Sequence, residues 1–274
     1  MKKLLFTALG ALMLFACTAP EPLKVMSYNI RFGTAKDGEF SWPYRKDAAA
    51  AMVLDQRPAV FGVQEALDFQ LEFLAQNCPM YQYVGVGRED GVSGGEHMAV
   101  FYDTTRLSLK DWGTYWLSET PDEPSKGWDA MCKRTATWTL MEDLATGKHF
   151  FFVNTHLDHV GAEARTKGLA LVVERIGSMN PDNYPMVLCG DFNVFPDDPC
   201  LTDLRGIMTD ARESADVTTT ESTYHGWGLV DKEPIDYIFY SGFQGCKEFA
   251  RVTKPYLECP YVSDHYPITA ILTY

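Results

Sequence analysis

The feature that most constrains this chain is a series of short apolar segments, most of which end in a polar side chain that is costly to bury. Residues 23–29 and 59–64 are typical, since the first segment closes on Asn29 and the second is followed by Glu65. Their content of β-branched and aromatic residues predicts strands. Because several such segments are apolar on both faces, we expect sheets covered on both sides, as in layered α/β architectures.

The other predicted elements alternate along the chain without internal repeats. Further strands are expected at residues 98–102, 135–140, 150–155, 186–190, 235–240 and 268–273. Helices are expected at residues 45–56, 67–75 and 163–178. In the last helix Leu169, Val172 and Ile176 share one face, and Gly177 is placed to end it. Residues 112–128 and 218–233 are predicted to be loops.

Composition and charge narrow the class of protein. The 274 residues are 46% hydrophobic, 22% charged and 13% aromatic, which argues against disorder and favours one domain with one large core. The formal net charge is -13, so the overall field would not attract a nucleic-acid backbone. Phosphate chemistry in such a chain needs a local cation, such as a bound metal ion.

The N-terminus has the pattern of an export signal. Lys2 and Lys3 precede an apolar run at residues 4–15 that is too short to span a bilayer stably. Residues 14–17 resemble a bacterial lipobox, whose cysteine is lipidated; simple cleavage after a small residue is the alternative. We therefore predict a lipoprotein signal peptide at residues 1–16, a lipidated Cys17, a tether at 17–22 and a single domain at 23–274. The protein would be anchored to a membrane of the bacterial cell envelope, on its periplasmic or surface face.

The polar residues at the strand ends have the composition of a metal-dependent site. Strand ends in layered α/β folds converge on a common rim, where ligands bind. The residues expected there are Asn29, Glu65, His156, Asp191, Asn193, Asp236, Asp264 and His265. Such a group would be mutually repulsive without a cation and an anionic ligand. Oxygen ligands suit Mg²⁺ or Mn²⁺, and no C-x-x-C pair offers a thiolate zinc site. Glu65 is the first choice as ligand and Asp264 the second.

The order of short motifs along the chain resembles that of one family. The motifs are SYNIR at residues 27–31, QE at 64–65, NTHL at 154–157, GDFN at 190–193, IDYI at 235–238 and SDHYP at 263–267. They are similar in kind and order to those of the endonuclease/exonuclease/phosphatase family, which includes deoxyribonucleases. The resemblance implies a four-layer α/β sandwich, in which two packed mixed β-sheets are flanked by helices. It also implies a divalent-metal phosphoesterase site at one rim.

The resemblance implies a role for each matching residue. Glu65 corresponds to the principal metal ligand, with Asn29 on the metal or the phosphate, and Asp264 would be an additional ligand. Asp191 corresponds to the acid that polarises the attacking water, while His265 is the alternative base. Asn193 would donate a hydrogen bond to the phosphate.

The remaining matches concern the phosphate and the substrate. His156 is similar to the family histidine that contacts the phosphate or assists the leaving group. Asp236 and His265 resemble a carboxylate–imidazole pair, in which Asp236 would fix the tautomer and favour the imidazolium. The substrate side is expected to include Arg134, Asp158 and His159. For Arg134 a surface salt bridge is the alternative.

The predicted function is that of a Mg²⁺-dependent phosphoesterase, either a phosphodiesterase or a phosphatase, in which a metal ion assists attack by water. An endonuclease acting on DNA or RNA is one alternative, which 24 basic against 37 acidic residues disfavour. A non-catalytic binding lipoprotein and a zinc hydrolase are the others. The substrate could be a phosphorylated small molecule, a phospholipid head group or a nucleic acid, and no protein partner is predicted.

Overall fold

A computed structural model describes residues 21–231 and 233–274. Its strands are β1 (Leu23–Asn29), β2 (Val60–Gln64), β3 (Tyr81–Val84), β4 (Val100–Asp103), β5 (Leu107–Trp116), β6 (Thr135–Asp143), β7 (Lys148–His156), β8 (Met186–Asp191), β9 (Thr209–Asp210), β10 (Asp236–Ser241), β11 (Gly245–Arg251) and β12 (Ile268–Thr273). Its helices are α1 (Trp42–Gln56), α2 (Asp68–Asn77), α3 (Ala162–Met179), α4 (Thr202–Ile207) and α5 (Ala211–Ser214).

The strands form two six-stranded sheets packed face to face. One has the order β11-β12-β1-β2-β4-β3 and the other β5-β6-β7-β8-β10-β9. Between them lies an apolar core that includes Val25 and Val60 from the first sheet and Phe152 and Ile238 from the second. A second core packs α1 and α2 against the first sheet, and a third packs α3 and α4 against the second. The predicted four-layer sandwich of two mixed sheets flanked by helices is confirmed.

The topology brings the functional ends of several strands to one rim. β1 and β2 are parallel, with Asn29 in register with Gln64, and β7 and β8 are parallel, with His156 beside Asp191. β10 is antiparallel to β8 and begins at this rim, so Asp236 pairs with Asp191. β12 is antiparallel to β1, so the segment that precedes it reaches the same place.

Two strand-end amides couple the sheets instead of facing the rim. Asn154 is fully buried, and its Nδ2 donates to the carbonyl oxygens of Val63 at 2.8 Å and Ala99 at 2.9 Å. Its Oδ1 accepts from Gln64 Nε2 at 2.7 Å. The approach is so close that a Cβ at Gly62 would collide with the Asn154 side chain. This polar link lies within the apolar layer between the sheets and holds the end of β2 in place.

Some elements differ from the sequence prediction. α1 begins at Trp42, earlier than expected, because Pro43 fits the first turn of a helix. The prediction that Gly177 ends α3 is wrong, since the helix continues to Met179. β5 reaches Trp116 and so enters a segment predicted to be a loop. The strands β3, β5, β9 and β11, which were not predicted, are the edges of the two sheets.

Some N-terminal predictions lie outside the described residues. These are the signal peptide at 1–16, Cys17 and the tether up to residue 20. Within the described chain, no helix has the length and apolar character needed to cross a membrane. The cysteines of that part of the chain are free thiols.

Candidate active site

Three side chains with metal-binding atoms meet at the rim. Within the described part of the chain, Glu65, Asp191 and His265 form a group whose ligand atoms all lie within 4.8 Å of one another. Asn29 lies among them, and its Nδ2 donates to Glu65 Oε1 at 2.9 Å and to Asp191 Oδ2 at 3.0 Å. The carboxylate oxygens of Glu65 and Asp191 are donors that suit a divalent ion of the Mg²⁺ or Mn²⁺ type. The residues therefore fit the metal ion predicted from the sequence.

The backbone turns sharply where it presents this group. Arg31, Glu65 and Asn193 have φ angles of 64°, 63° and 52°, a left-handed conformation that costs about 1–2 kcal/mol for a residue other than glycine. Hydrogen bonds compensate: Phe32 N donates to Glu65 Oε2 at 2.8 Å, and Arg31 N donates to Asn29 Oδ1 at 3.0 Å. Since the Asn29 oxygen is bound to the backbone, its amide faces the acids as a donor and not as a metal ligand.

His265 is held by Asp236. Its Nδ1 lies 2.9 Å from Asp236 Oδ2, and both side chains are almost fully buried. Burial by itself lowers the pKa of His265, but the charge and hydrogen bond of Asp236, followed by the charge of Asp191, outweigh it and raise the pKa. The ring is therefore favoured as an imidazolium, with Nε2 pointing toward Asp191 Oδ2 at 3.7 Å.

Asp191 lies at the centre of the site with a proton affinity unusual for a carboxylate. Burial raises its pKa, and the negative charge of Asp236 raises it further, although His265 opposes the rise. Asn193 N donates to its Oδ1 at 3.0 Å. A carboxylate whose pKa is moved toward neutrality is suited to accept a proton from water, which is the role predicted for Asp191.

His156 is neutral and is oriented by Asn193. Burial lowers the pKa of His156, and the positive charges of Arg134 and Arg88 lower it further. Asn193 Nδ2 donates to the carbonyl oxygen of Leu157 at 3.1 Å and lies 3.0 Å from His156 Nε2. With both amide hydrogens engaged in this way, Asn193 positions the imidazole and leaves its carbonyl oxygen for the cavity.

The rim residues form the floor of a cavity of about 370 Å³ whose walls carry guanidinium groups. Arg31, Arg88 and Arg134 line it. Each has an acid as its nearest charged partner, namely Asp37 at 3.0 Å, Glu96 at 2.7 Å and Asp158 at 3.2 Å. In a chain of net charge -13, these groups supply the local positive charge that binding of a phosphate ester requires.

Asp158 lies behind Arg134 and is not among the residues that line the cavity. Its Oδ1 accepts from the backbone N–H groups of Val160 at 3.0 Å and Gly161 at 2.8 Å. Burial opposes its ionisation, but these backbone hydrogen bonds and Arg134 hold the pKa of Asp158 below its usual range. The alternative of a surface salt bridge is wrong, because both partners are buried.

His159 forms the exposed end of the same wall. Arg134 Nη2 lies 2.9 Å from His159 Nδ1, and because a guanidinium can only donate, Nδ1 is the acceptor and Nε2 carries the proton. His159 lines the cavity and offers this N–H at its mouth. Arg134 and His159 thus line the cavity together, and their contact with substrate stays a prediction.

Asp264 lines the cavity beside the metal-binding group, not within it. Its Oδ2 lies 3.5 Å from Arg31 Nη1, and Ser263 Oγ donates to its Oδ1 at 3.2 Å. Burial raises the pKa of Asp264, and Glu65 adds to the rise while His265 and Arg31 oppose it. Asp264 is paired with the Arg31 guanidinium here, so it adjoins the metal-binding group without belonging to it.

Arg45 supports the site from below and is fully buried on α1. Its guanidinium donates to the carbonyl oxygens of Ile30 at 2.7 Å, Val262 at 2.9 Å and Arg31 at 3.2 Å. It thereby ties the turn after β1 to the segment before β12. The sequence places Arg45 at the start of a predicted helix but gives no sign of this role, because one of the carbonyl groups it binds, that of Val262, is 217 residues away in the chain.

Other cavity residues were missed for different reasons. Arg31 lies within a motif but had no assigned role, and its proximity to Asp264 could have been inferred only from the motif order. Tyr224, whose ring packs against that of His265 with centroids 4.9 Å apart, lies in a segment without regular periodicity. Glu96 belongs to a glycine-rich segment, residues 94–97, which the sequence marked only as one of several loops that could determine the substrate, and Arg88 gave no signal.

Known proteins resemble this chain over nearly its whole length. The sequence model of the Endonuclease/Exonuclease/phosphatase family matches residues 26–265. The structure is similar to a mannosyl-6-phosphatase from Bacteroides thetaiotaomicron VPI-5482, with a TM-score of 0.87, 34% identity, and coverage of 92% of this chain and 100% of that one. An endonuclease/exonuclease/phosphatase from Bacteroides vulgatus gives a TM-score of 0.85, 35% identity, and coverage of 92% and 98%. An uncharacterised protein of Acanthamoeba polyphaga mimivirus is 24% identical, over 91% of this chain and 99% of its own length.

Proposed function

The chain belongs to the endonuclease/exonuclease/phosphatase family, and from this premise we propose that it is a Mg²⁺-dependent phosphatase that releases inorganic phosphate from a small phosphorylated sugar. Members of the family are metal-dependent phosphoesterases, so the chain is a hydrolase of phosphoric ester bonds. The choice of Mg²⁺, of a monoester and of a sugar is our proposal. The observation that carries it is a single cavity that combines the group of Glu65, Asp191 and His265 with three guanidinium groups.

The size and charge of the site support a small substrate. A cavity of about 370 Å³ is near the lower end of the range for small-molecule sites, which suits a phosphate carried by one sugar. The net charge of -13 disfavours a polyanionic polymer. The similarity to a mannosyl-6-phosphatase at 34% identity supports a sugar phosphate over a lipid head group.

The chain's residues divide the work of hydrolysis. Glu65 would hold the divalent ion, which neutralises charge on the phosphate oxygens when it is bound. Asp191 accepts the proton of the attacking water as the water oxygen bonds to phosphorus and the bond from phosphorus to the sugar oxygen breaks. The released alkoxide takes a proton from solvent. His265, kept protonated by Asp236, donates from Nε2 to a phosphate oxygen. Asn29 offsets the repulsion between the carboxylates of Glu65 and Asp191 by donating to both.

The experiment is an assay of the full chain after chelation, with Mg²⁺, Mn²⁺, Ca²⁺ or Zn²⁺ added back. The substrates are mannose 6-phosphate, bis-p-nitrophenyl phosphate, sphingomyelin and plasmid DNA. We expect phosphate release from mannose 6-phosphate that Mg²⁺ restores, with Mn²⁺ as a substitute. Nicking of DNA or cleavage of a diester without monoesterase activity would contradict the proposal, as would restoration by Zn²⁺ alone.

A pair of variants controls for the metal site. Glu65→Gln removes the charge of the proposed ligand and should abolish the activity. Glu72→Gln changes an exposed acid of α2, the helix that follows Glu65, and should leave the activity unchanged. Equal activity of the two variants would show that Glu65 does not hold the ion.

We also propose that the enzyme is anchored to a membrane of the cell envelope through a lipid on Cys17. The support is the sequence pattern of residues 1–17, with its two lysines, apolar run and terminal cysteine. Fractionation of cells that express the full chain or Cys17→Ser tests the proposal. The unaltered protein should sediment with membranes and the variant should not, and identical partitioning of the two would refute the anchor.

A further inference from the structure

The hairpin between β3 and β4 places another pair of charged side chains in the active-site cavity. Arg88 and Glu96 both line it, and Arg88 Nη1 donates to Glu96 Oε2 at 2.7 Å. Only 11% of the Arg88 side chain and 12% of the Glu96 side chain are exposed. Neither residue is a strand-end residue, and neither takes part in holding the ion or activating the water. Arg88 adds to the positive charge of the cavity wall, whereas the carboxylate of Glu96 has no part in that chemistry and is available for another purpose.

The backbone fixes this pair relative to the metal-binding group. Arg88 N donates to the Glu96 carbonyl oxygen at 3.0 Å, so the residues face each other across the hairpin. The next residue, His97, donates its N–H to the Ala66 carbonyl oxygen at 2.7 Å. Ala66 directly follows Glu65, the proposed metal ligand. Main-chain hydrogen bonds thus fix the position of Glu96 relative to Glu65. A group bound by Glu96 would therefore lie at a fixed distance from a phosphate bound to the ion that Glu65 would hold.

Both side chains have hydrogen-bonding capacity left over. Glu96 Oε1 makes no hydrogen bond to any described residue. Arg88 Nε likewise donates no hydrogen bond to a described residue, although Glu89 Oε1 lies 3.5 Å away. Burial raises the pKa of Glu96, as does the charge of Glu65, while Arg88 opposes the rise. The carboxylate oxygen of Glu96 that has no protein partner belongs to a residue lining the cavity, and it is therefore available to a ligand that enters it.

The combination selects a hydroxyl group over an anion. An alcohol donates its hydrogen to a carboxylate and accepts one from a guanidinium, so adjacent Glu and Arg side chains match it on both counts. A second phosphate or a carboxylate would be repelled by the negative charge of Glu96. Arg134 and His159, which also line the cavity, add further donors for oxygen atoms.

We propose that Glu96, held in place by Arg88, binds hydroxyl groups on the organic portion of the substrate and makes the enzyme specific for phosphate esters of polyols such as sugars. This inference rests on the proposed phosphatase function and assigns its specificity to a residue outside the family motifs. Sites built to bind a substrate hydroxyl discriminate strongly against analogues that lack it, since their polar groups are then left unpaired.

The test compares a hydroxylated with a hydroxyl-free substrate. The values of kcat/KM for mannose 6-phosphate and n-butyl phosphate are measured with Mg²⁺ for the full chain, Glu96→Gln and Glu89→Gln. Glu89 is the matched control because it lies in the same hairpin, 3.5 Å from Arg88 Nε, but is 49% exposed and does not line the cavity.

We expect the unaltered enzyme to prefer mannose 6-phosphate. Glu96→Gln should reduce that preference by about 10- to 100-fold, the usual loss for one charged hydrogen bond, through a lower kcat/KM for the sugar phosphate alone. Glu89→Gln should keep the preference.

Other outcomes would overturn the inference in distinguishable ways. Equal losses on both substrates in Glu96→Gln would show that the Arg88–Glu96 pair is only structural. No preference in the unaltered enzyme would remove the assigned specificity and leave the phosphatase function standing. No phosphate release from either substrate would refute both.

Discussion

Replacement of Asn154 by alanine should destabilise the protein without altering its active site. The side chain makes three hydrogen bonds between the sheets, to Gln64 Nε2, the Val63 carbonyl oxygen and the Ala99 carbonyl oxygen, and is fully buried. At about 1 kcal/mol for each hydrogen bond removed, the free energy of unfolding should fall by about 3 kcal/mol. For a domain of this size the corresponding decrease in Tm is about 6–12 °C.

Thermal unfolding followed by circular dichroism measures this effect. Asn77→Ala is the matched control, since that exposed amide makes one hydrogen bond, to the Phe73 carbonyl oxygen at 2.8 Å, and its loss should lower Tm by less than about 2 °C. Because Asn154 does not line the cavity, kcat/KM of Asn154→Ala at low temperature should be unchanged. Equal Tm values for the two variants would refute the idea that this amide couples the sheets.

Three further predictions concern the site and its surroundings. Glu65→Gln should weaken Mg²⁺ binding by more than about 100-fold in titration calorimetry, because the carboxylate is the proposed ligand, and an unchanged affinity would contradict this. Asp236→Asn should lower kcat by about 10- to 100-fold, and more so at high pH, because without the carboxylate the pKa of His265 falls and the imidazolium is lost; a uniform pH profile would argue against this role. Burial, reinforced by the charge of His265, lowers the pKa of His225 from 6.5 to about 4. The unfolded chain therefore binds a proton that the folded chain does not, and stability should fall by up to about 3 kcal/mol between pH 6.5 and 4, a dependence that His225→Gln should reduce in urea unfolding.

The interior of the fold could be predicted from the sequence, whereas its edges could not. Interior strands such as β2 are buried at every position, so their apolar character stands out. The edge strand β5 instead exposes Lys110, Asp111 and Trp112, and β9 has only two residues. A strand with one partner and one covered face needs fewer apolar residues, and its pattern resembles that of a loop.

The same reasoning explains which site residues were found. Glu65, Asp191, His156 and His265 lie at or beside strand ends. Parallel pairing brings the ends of β1 and β2 and of β7 and β8 together, and the antiparallel strand β12 begins at the same rim. Side chains presented by a hairpin or a buried helix face depend on long-range packing that spacing in the sequence does not encode. Asn193 was found as a site residue, but its contacts could not be predicted from spacing in the sequence. Its amide hydrogens are engaged by His156 and Leu157 and are not free for a phosphate.

The left-handed turns at Glu65 and Asn193 place stability and activity in opposition. Glycine adopts this conformation without the steric cost that the present residues carry, so Glu65→Gly and Asn193→Gly would relieve local strain while deleting the proposed metal ligand and the amide that positions the imidazole. Directed evolution that rewards heat resistance alone would drift toward an inert scaffold at these positions. Only a screen that demands turnover in every round would preserve them.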